Sequence, residues 1–430
     1  MHVPQAGLRL DKAPPQAYGC RMAALPESRF LDRETPPHIA TLILMAGIAA
    51  LTMNMFLPSL PAMTAYFRTD YRLMQLSVAL YLAVSAVLQV LVGPLSDRFG
   101  RRPIILGAVA LFLLATLGCL FAPNIQIFLI FRMAQAVIAT SMALSRAVVR
   151  DMVPGAQAAS MIGYVTMGMA VAPMIGPLIG GVLDSFFGWK SSFWLLFALG
   201  GMLLALLWRD LGETMARNDS SFIQQLRQYP ALLASRRFWG YCLSAAFASG
   251  AFFAYLGGAP FVGKEVFHMN AIWLGFSFGA VSFGYMMGNF LSGRFSSRIG
   301  MNRMVLWGAL ISVGGTGTSL LLFYLGLGSA YVFFTFMVAV GIGNGMVLPN
   351  ANAGMLSVRP NLAGSASGLG GAILIGGGAA LSAFSGSQLG PDTGVFPLLW
   401  IMFGSAVMGV ISILYVIWRE RRIGPLDEML

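Results

Sequence analysis

The sequence predicts an all-α membrane protein, with twelve transmembrane helices arranged as two pseudo-symmetric six-helix bundles. Three observations predict it. Of the 430 residues, 57% are hydrophobic and only 10% are charged, against about 25% charged in soluble domains. The chain divides into twelve apolar runs, each close to the roughly 20 residues that cross a bilayer as a helix. A short charged stretch between the second and third runs, Gly93-Pro94-Leu95-Ser96-Asp97-Arg98-Phe99-Gly100-Arg101-Arg102-Pro103, also has an echo. Gly293-Arg294-Phe295-Ser296-Ser297-Arg298-Ile299-Gly300 repeats its Gly, Ser, Arg and Gly 200 positions later.

In chain order, residues 1–38 are polar, contain Pro14, Pro15, Pro26, Pro36 and Pro37, and lack an apolar core segment. They are expected to be a disordered cytoplasmic tail and not a cleavable signal peptide, with Met22 as an alternative start. The spans are expected at 39–60, 73–93, 103–121, 126–147, 160–182 and 192–208, then at 239–261, 271–292, 304–325, 330–349, 365–386 and 395–418. Residues 39–208 and 239–418 form the two bundles. A cytoplasmic linker over 209–238 joins them, and 419–430 is a second cytoplasmic tail. Within the linker, Ser221–Arg227 followed by Leu232-Leu233 suggests an amphipathic helix on the inner surface.

Orientation follows from the basic residues. With the N-terminus inside, 22 Lys and Arg fall on inner segments and 4 on outer loops, with Arg132 left inside a span. That bias places both termini in the cytoplasm. It also accounts for the formal charge of +11, so no nucleic-acid partner is expected. Cys20, Cys119 and Cys242 form no metal spacing and no disulfide framework. No nucleophile–base pair, paired carboxylates or nucleotide-binding loop occurs beside the spans. An enzyme, a cofactor and an ATP-driven pump are therefore not expected.

Several stretches resemble the major facilitator superfamily, and more narrowly its bicyclomycin/chloramphenicol-resistance branch of drug:proton antiporters. The stretch 93–103 is similar to the superfamily's loop 2–3 signature almost residue for residue. Gly176-Pro177-Leu178-Ile179-Gly180-Gly181 is similar to the span-5 signature of the antiporters. Phe131-Arg132-Met133-Ala134-Gln135 matches the span-4 Arg-x-x-Gln pattern, with Ala136 where Gly usually follows. Branch features are Leu57-Pro58-Ser59-Leu60-Pro61, Arg146-Ala147-Val148-Val149-Arg150-Asp151, Gly258-Ala259-Pro260-Phe261 and Leu362–Ser367. The resemblance covers about residues 40–420. It implies a major facilitator fold in a bacterial inner membrane, working as a monomer that exports drug-like molecules by alternating access in exchange for protons.

Site residues follow from both readings. Gly93, Asp97, Arg98, Gly100, Arg101 and Arg102 are expected to gate: an acid among arginines can latch the halves in one state and release them in the other. A plain topogenic loop is the simpler alternative. In the second copy Ser297 replaces the acid, so that latch should be weaker. Gly176, Pro177, Gly180 and Gly181 make a bent, smooth helix face, which the resemblance reads as a barrier to leak; packing alone would also explain it. Arg132 inside a span is expected to face a cavity or a partner, or else to snorkel outward. With Asn54, Tyr81, Gln135 and Tyr255 it makes up the expected substrate-binding set. Gln89, Tyr164, Tyr285, Asn289 and Asn344 are further polar candidates.

All sixteen acids fall in tails, loops or span ends. The branch usually carries an Asp in span 1, serving proton coupling and cation recognition; here Asn54 stands at that position and cannot titrate. Proton antiport is thus implied by the resemblance and not by the residues. A cavity with one arginine and no counter-charge favours neutral or weakly acidic amphiphiles over cations. A proton-independent facilitator or an uptake carrier for a small metabolite is the alternative.

Overall fold

The computed structural model describes residues 28–153, 155–214, 229–359, 363–390 and 393–423. Among them every regular element is a helix. The first bundle contains α1 (Ile39–Asn54), a 3-10 turn (Leu57–Ser59), α2 (Leu60–Tyr66), α3 (Tyr71–Phe99) and α4 (Arg101–Leu120). It continues with α5 (Ile125–Gln135), a 3-10 turn (Ala136–Ile138), α6 (Ala139–Met152), α7 (Gly155–Phe187) and α8 (Lys190–Asp210). After the short α9 (Tyr229–Leu233), the second bundle contains α10 (Arg236–Phe261), a π-helical turn (Val262–Val266), α11 (Ala271–Ile299) and α12 (Met301–Tyr324). It ends with α13 (Ala330–Ser357), α14 (Ala363–Gln388) and α15 (Phe396–Ile423).

Each bundle holds six spans. α1 with α2 makes the first span, α5 with α6 the fourth, and α10 with its π turn the seventh. Among the described residues, 11 helices are long and apolar enough to cross a membrane. The remaining span, α7, is 33 residues long and includes the apolar stretch Ala172–Phe187. Helices satisfy their own backbone polar groups, which is what a hydrocarbon environment requires. The chain is a multi-pass membrane protein.

The internal repeat is exact in register. α3 and α11 are both 29 residues long, and their first residues lie 200 positions apart, at Tyr71 and Ala271. Each ends on a glycine with positive φ: Gly100 at 94° and Gly300 at 90°. Each of these glycines donates its N–H to the carbonyl of the serine four residues back, Ser96 or Ser296, at 2.9 Å. One correction follows. The stretch 93–103 is not a loop, because α3 runs helically through Asp97 and Arg98 to Phe99 and α4 begins at Arg101. Gly100 alone turns the corner, at a φ where a side chain would strain the backbone. Several other helices also outrun their apolar runs, since hydropathy marks the hydrocarbon thickness while backbone hydrogen bonding continues into the polar layer.

The bundle has two ends, one bearing the Gly100 and Gly300 corners and the other bearing Tyr71. At the Tyr71 end a single hydrophobic core runs through both halves, from Phe56, Leu60 and Phe193 to Tyr255, Phe333 and Leu398. Toward the corner end there are two separate cores. One lies within the first half around Leu42, Phe112 and Leu203, and the other within the second around Phe238, Val347 and Ile413. The apolar core is therefore continuous between the halves at one end and divided at the other.

Chain ends differ from expectation in extent. Residues 28–38, expected within the disordered tail, form turns docked on the end of α8. Both oxygens of the buried Asp210 accept backbone N–H groups, from Leu31 at 2.7 Å and His38 at 3.0 Å. At the other terminus α15 continues through Glu420 to Ile423, past the expected end at 418. Glu420 accepts from the Tyr241 hydroxyl at 3.1 Å and from the Asn302 amide. The expected amphipathic helix at Ser221–Arg227 lies outside the described residues.

Candidate substrate cleft and gates

The break in the first span organises the first half. α1 stops at Asn54 because Pro58 has no N–H to return to it and Pro61 repeats the defect a turn later. Arg132, on α5, fills the space beside the break. Its guanidinium donates to the Thr52 carbonyl at 3.0 Å and to Gln135 Oε1. It also lies between two rings, 4.2 Å from the centroid of Phe56 and 4.3 Å from that of Tyr81. Gln135 passes the network to Thr116 on α4 at 2.8 Å. Arg132 is 1% exposed, so it does not snorkel. A buried guanidinium needs this many partners, and each ring face contributes on the order of 2 kcal/mol when desolvated. Asn54 is buried next to this network. Its amide donates to Ala50 at 2.7 Å, and its Oδ1 has no partner among the described residues.

α7 carries the Gly-Pro face to two neighbours. A Cβ on Gly180 would overlap the Met55 carbonyl at the break in the first span, and Gly176 packs on Leu51 and Asn54. A Cβ on Gly181 would instead overlap the Ala271 carbonyl at the start of α11, in the other half. The motif is thus a double contact, one side within its own bundle and one across the cleft. Pro177 supplies no N–H to the Pro173 carbonyl. That carbonyl accepts the Ser282 hydroxyl of α11 at 2.9 Å.

At the corner end Arg101 joins three elements. Its guanidinium pairs with Asp97 Oδ1 at 2.7 Å and Asp151 Oδ2 at 3.0 Å, and bonds Ser96. The backbone N–H groups of Arg101 and Arg102, at the start of α4, donate to Glu213 at 2.8 and 3.2 Å, where the helix dipole favours an anion. Arg102 lies over Trp208, with its charge centre 5.4 Å from the ring centroid, and Arg98 stands 5.4 Å from the Phe99 ring. These pairs lie within the first half. Gly93 and Gly293 look into open space. In the second half a neutral set stands where Asp97 and Asp151 hold Arg101: Asn350 donates to Ser292 at 2.8 Å and accepts from Ser296 at 2.7 Å.

A comparison with known families decides what this arrangement is. The Major Facilitator Superfamily profile matches residues 42–383. The chain belongs to the major facilitator superfamily. It is 31% identical over 376 residues to an uncharacterized MFS-type transporter, YdgK, of Bacillus subtilis, covering 86% of this chain and 92% of the relative. It is 30% identical over 335 residues to a chloramphenicol resistance protein of Pseudomonas aeruginosa, covering 76% and 78%. Such relatives are consistent with the bicyclomycin/chloramphenicol-resistance branch. Among solved structures, the inward-facing, occupied crystal structure of a bacterial homolog of the human lysosomal transporter Spinster shares the fold. Its TM-score is 0.67 at 16% identity, covering 89% of this chain and 96% of that one.

The Tyr71 end also ties the two bundles together by hydrogen bonds, through residues not singled out in the sequence. Three side chains of the first turns of α3 reach backbone carbonyls of the other half. The Tyr71 hydroxyl donates to Gly257 at 2.7 Å, and Arg72 Nε to Leu389 at 3.2 Å. Gln75 Nε2 donates to both the carbonyl and the hydroxyl of Ser382, at 2.6 and 2.8 Å. Gly257 and Gly386 leave the slot that Gln75 fills. A polar triad in the first turn of a span was a usable signal, but only with the facing glycines known.

The expected substrate set divides. Tyr81, Arg132 and Gln135 come together in the first half, with Asn54 two residues beyond Thr52 on α1 and packed against Gly176. Tyr255 does not join them. It sits in the second half, its ring 5.1 Å from Phe278 and 6.4 Å from both Phe333 and Phe334. Asn344 is buried, whereas Gln89, Tyr285 and Asn289 are half-buried and Tyr164 is exposed.

Proposed function

We propose that this transporter exports small amphiphilic molecules, neutral or weakly acidic, across the bacterial inner membrane by alternating access, in exchange for protons and as a monomer. The observation that carries this reading is the single core at the Tyr71 end beside two separate cores at the corner end. That shape is one state of a cleft that opens alternately to either side. The 22:4 distribution of basic residues supports a cytoplasmic corner end, from which the cleft would load, with both termini on that side.

Export is supported by the Gly176–Gly181 face, similar to that of antiporters, and by a relative named for chloramphenicol resistance. Substrate charge is argued from Asn54, which puts an amide where the branch has a carboxylate, and from the buried cation Arg132 beside it. The Arg101 cluster would be the inner gate. Closing the corner end would bring the α3–α4 corner against α14, the helix of the other half on which α3 already packs, with Asp97 the group positioned to exchange partners. A second reading, a proton-independent facilitator, is favoured by Asn54 alone. Accumulation of radiolabelled chloramphenicol, a neutral probe, in cells with and without the protein tests export. Reduced accumulation that an uncoupler restores is expected. Equal accumulation would overturn export, and reduction that survives the uncoupler would favour the second reading.

A further inference from the structure

We propose that Arg146 and Arg150 on α6 form an anion-binding subsite on the cleft wall, taking the carboxylate or a comparable monoanion of an amphiphilic substrate. The inference rests on the transport reading and adds to it the residues that select the substrate's charge.

α6 buries one face through Leu144, Ser145, Ala147, Val148 and Val149. Arg146 and Arg150 share its uncovered face, one helical turn apart, and both are exposed. This face points at the other half and not at lipid, since Arg146 lies within electrostatic reach of Tyr285 on α11. A lipid-facing arginine at this position would be costly. Arg146 stands six residues before the end of α6, about 9 Å inside the mouth at 1.5 Å per residue.

Neither arginine has a counter-ion among the described residues. The ion pairs seen there belong to Arg101, which already holds the neighbouring Asp151 at 3.0 Å. Two guanidinium groups at i and i+4 repel each other, and an anion between them turns that repulsion into two charge-assisted hydrogen bonds. Tyr285 offers a hydroxyl from the facing wall. The subsite therefore differs from Arg132, whose two terminal nitrogens and ring contacts are already engaged within the bundle.

The test is equilibrium dialysis of radiolabelled salicylate against its neutral amide, salicylamide, with the purified full-length protein in phosphatidylcholine nanodiscs. Salicylate is expected to bind about tenfold more tightly than salicylamide, the scale of one hydrogen bond to a charged group. Arg146→Gln and Arg150→Gln should each remove most of that preference while leaving salicylamide binding intact. Arg146→Lys should keep part of it, and Arg422→Gln, a basic residue at the same end, should keep all of it. Unchanged salicylamide binding shows that each variant is folded. The proposal is overturned if the wild type shows no preference for the anion, or if the preference survives both Gln substitutions. It is also overturned if adding phosphatidylglycerol to the nanodiscs displaces salicylate, because a lipid headgroup is then the occupant. Chloramphenicol efflux without a salicylate preference would sink the subsite and leave export standing. A salicylate preference without efflux would do the reverse.

Discussion

Gln75→Ala should tilt the transporter away from the conformation described here. Gln75 donates two hydrogen bonds to Ser382, at 2.6 and 2.8 Å, and fills a slot between Gly257 and Gly386. Each hydrogen bond contributes on the order of 0.5–1.5 kcal/mol net, so the pair contributes about 1–3 kcal/mol. Both bonds cross between the halves, so they exist only while the Tyr71 end is closed. Their loss should move the closed-to-open ratio at that end by roughly 5–150-fold. Double electron–electron resonance reads this directly, using spin labels on cysteines placed at Ala65 and Lys264, both exposed and on opposite halves. The native Cys119 and Cys242 are buried. The wild type should give mainly the short distance, and Gln75→Ala should gain a longer population with little change in thermal stability. An unchanged distance distribution would refute the assignment of Gln75 to the gate.

The two corner glycines should respond unequally to alanine. Gly100→Ala meets both a φ of 94° and the Glu213 carboxylate, whereas Gly300→Ala meets only a φ of 90° and open space. Gly100→Ala should therefore lower the melting temperature by several degrees more than Gly300→Ala, and equal shifts would count against the Glu213 contact. Arg132→Lys should cost about 2–4 kcal/mol of stability in a chemical-denaturation series, because an ammonium cannot serve Thr52, Gln135 and two ring faces together; a near-neutral result would mean that the network is dispensable. Asn54→Asp should shift selectivity toward cations in a transport panel, and an unaltered panel would remove Asn54 from substrate selection.

Much of the fold was legible because the bilayer imposes a length and a hydropathy that few residues disguise. All twelve expected spans coincide with spans in the structure, and the 200-residue echo proved to be the register of α3 on α11. The corner is illegible in the sequence because charge does not end a helix that backbone hydrogen bonds carry on, and only Gly100 ends α3. The site was legible in parts. Arg132 stood out as an isolated charge, but its partners Thr52, Phe56 and Thr116 are ordinary residues whose meaning comes only from packing. Tyr71, Gln75 and Ser282 carried no pairing information for a related reason: each acts on a backbone carbonyl of the other half, and carbonyls carry no sequence signal. The place of Arg146 likewise needed the helix faces, since in the sequence it counts only as one more basic residue at the end of a span.

The account stands most directly on a transport measurement with matched probes. Cells with and without the protein would be given neutral, anionic and permanently cationic amphiphiles, each with the proton gradient intact and then collapsed. Lower accumulation of the neutral and anionic probes, lost on collapse, with no effect on the cation, is the predicted result. Gradient-driven expulsion of the cation alone would contradict it.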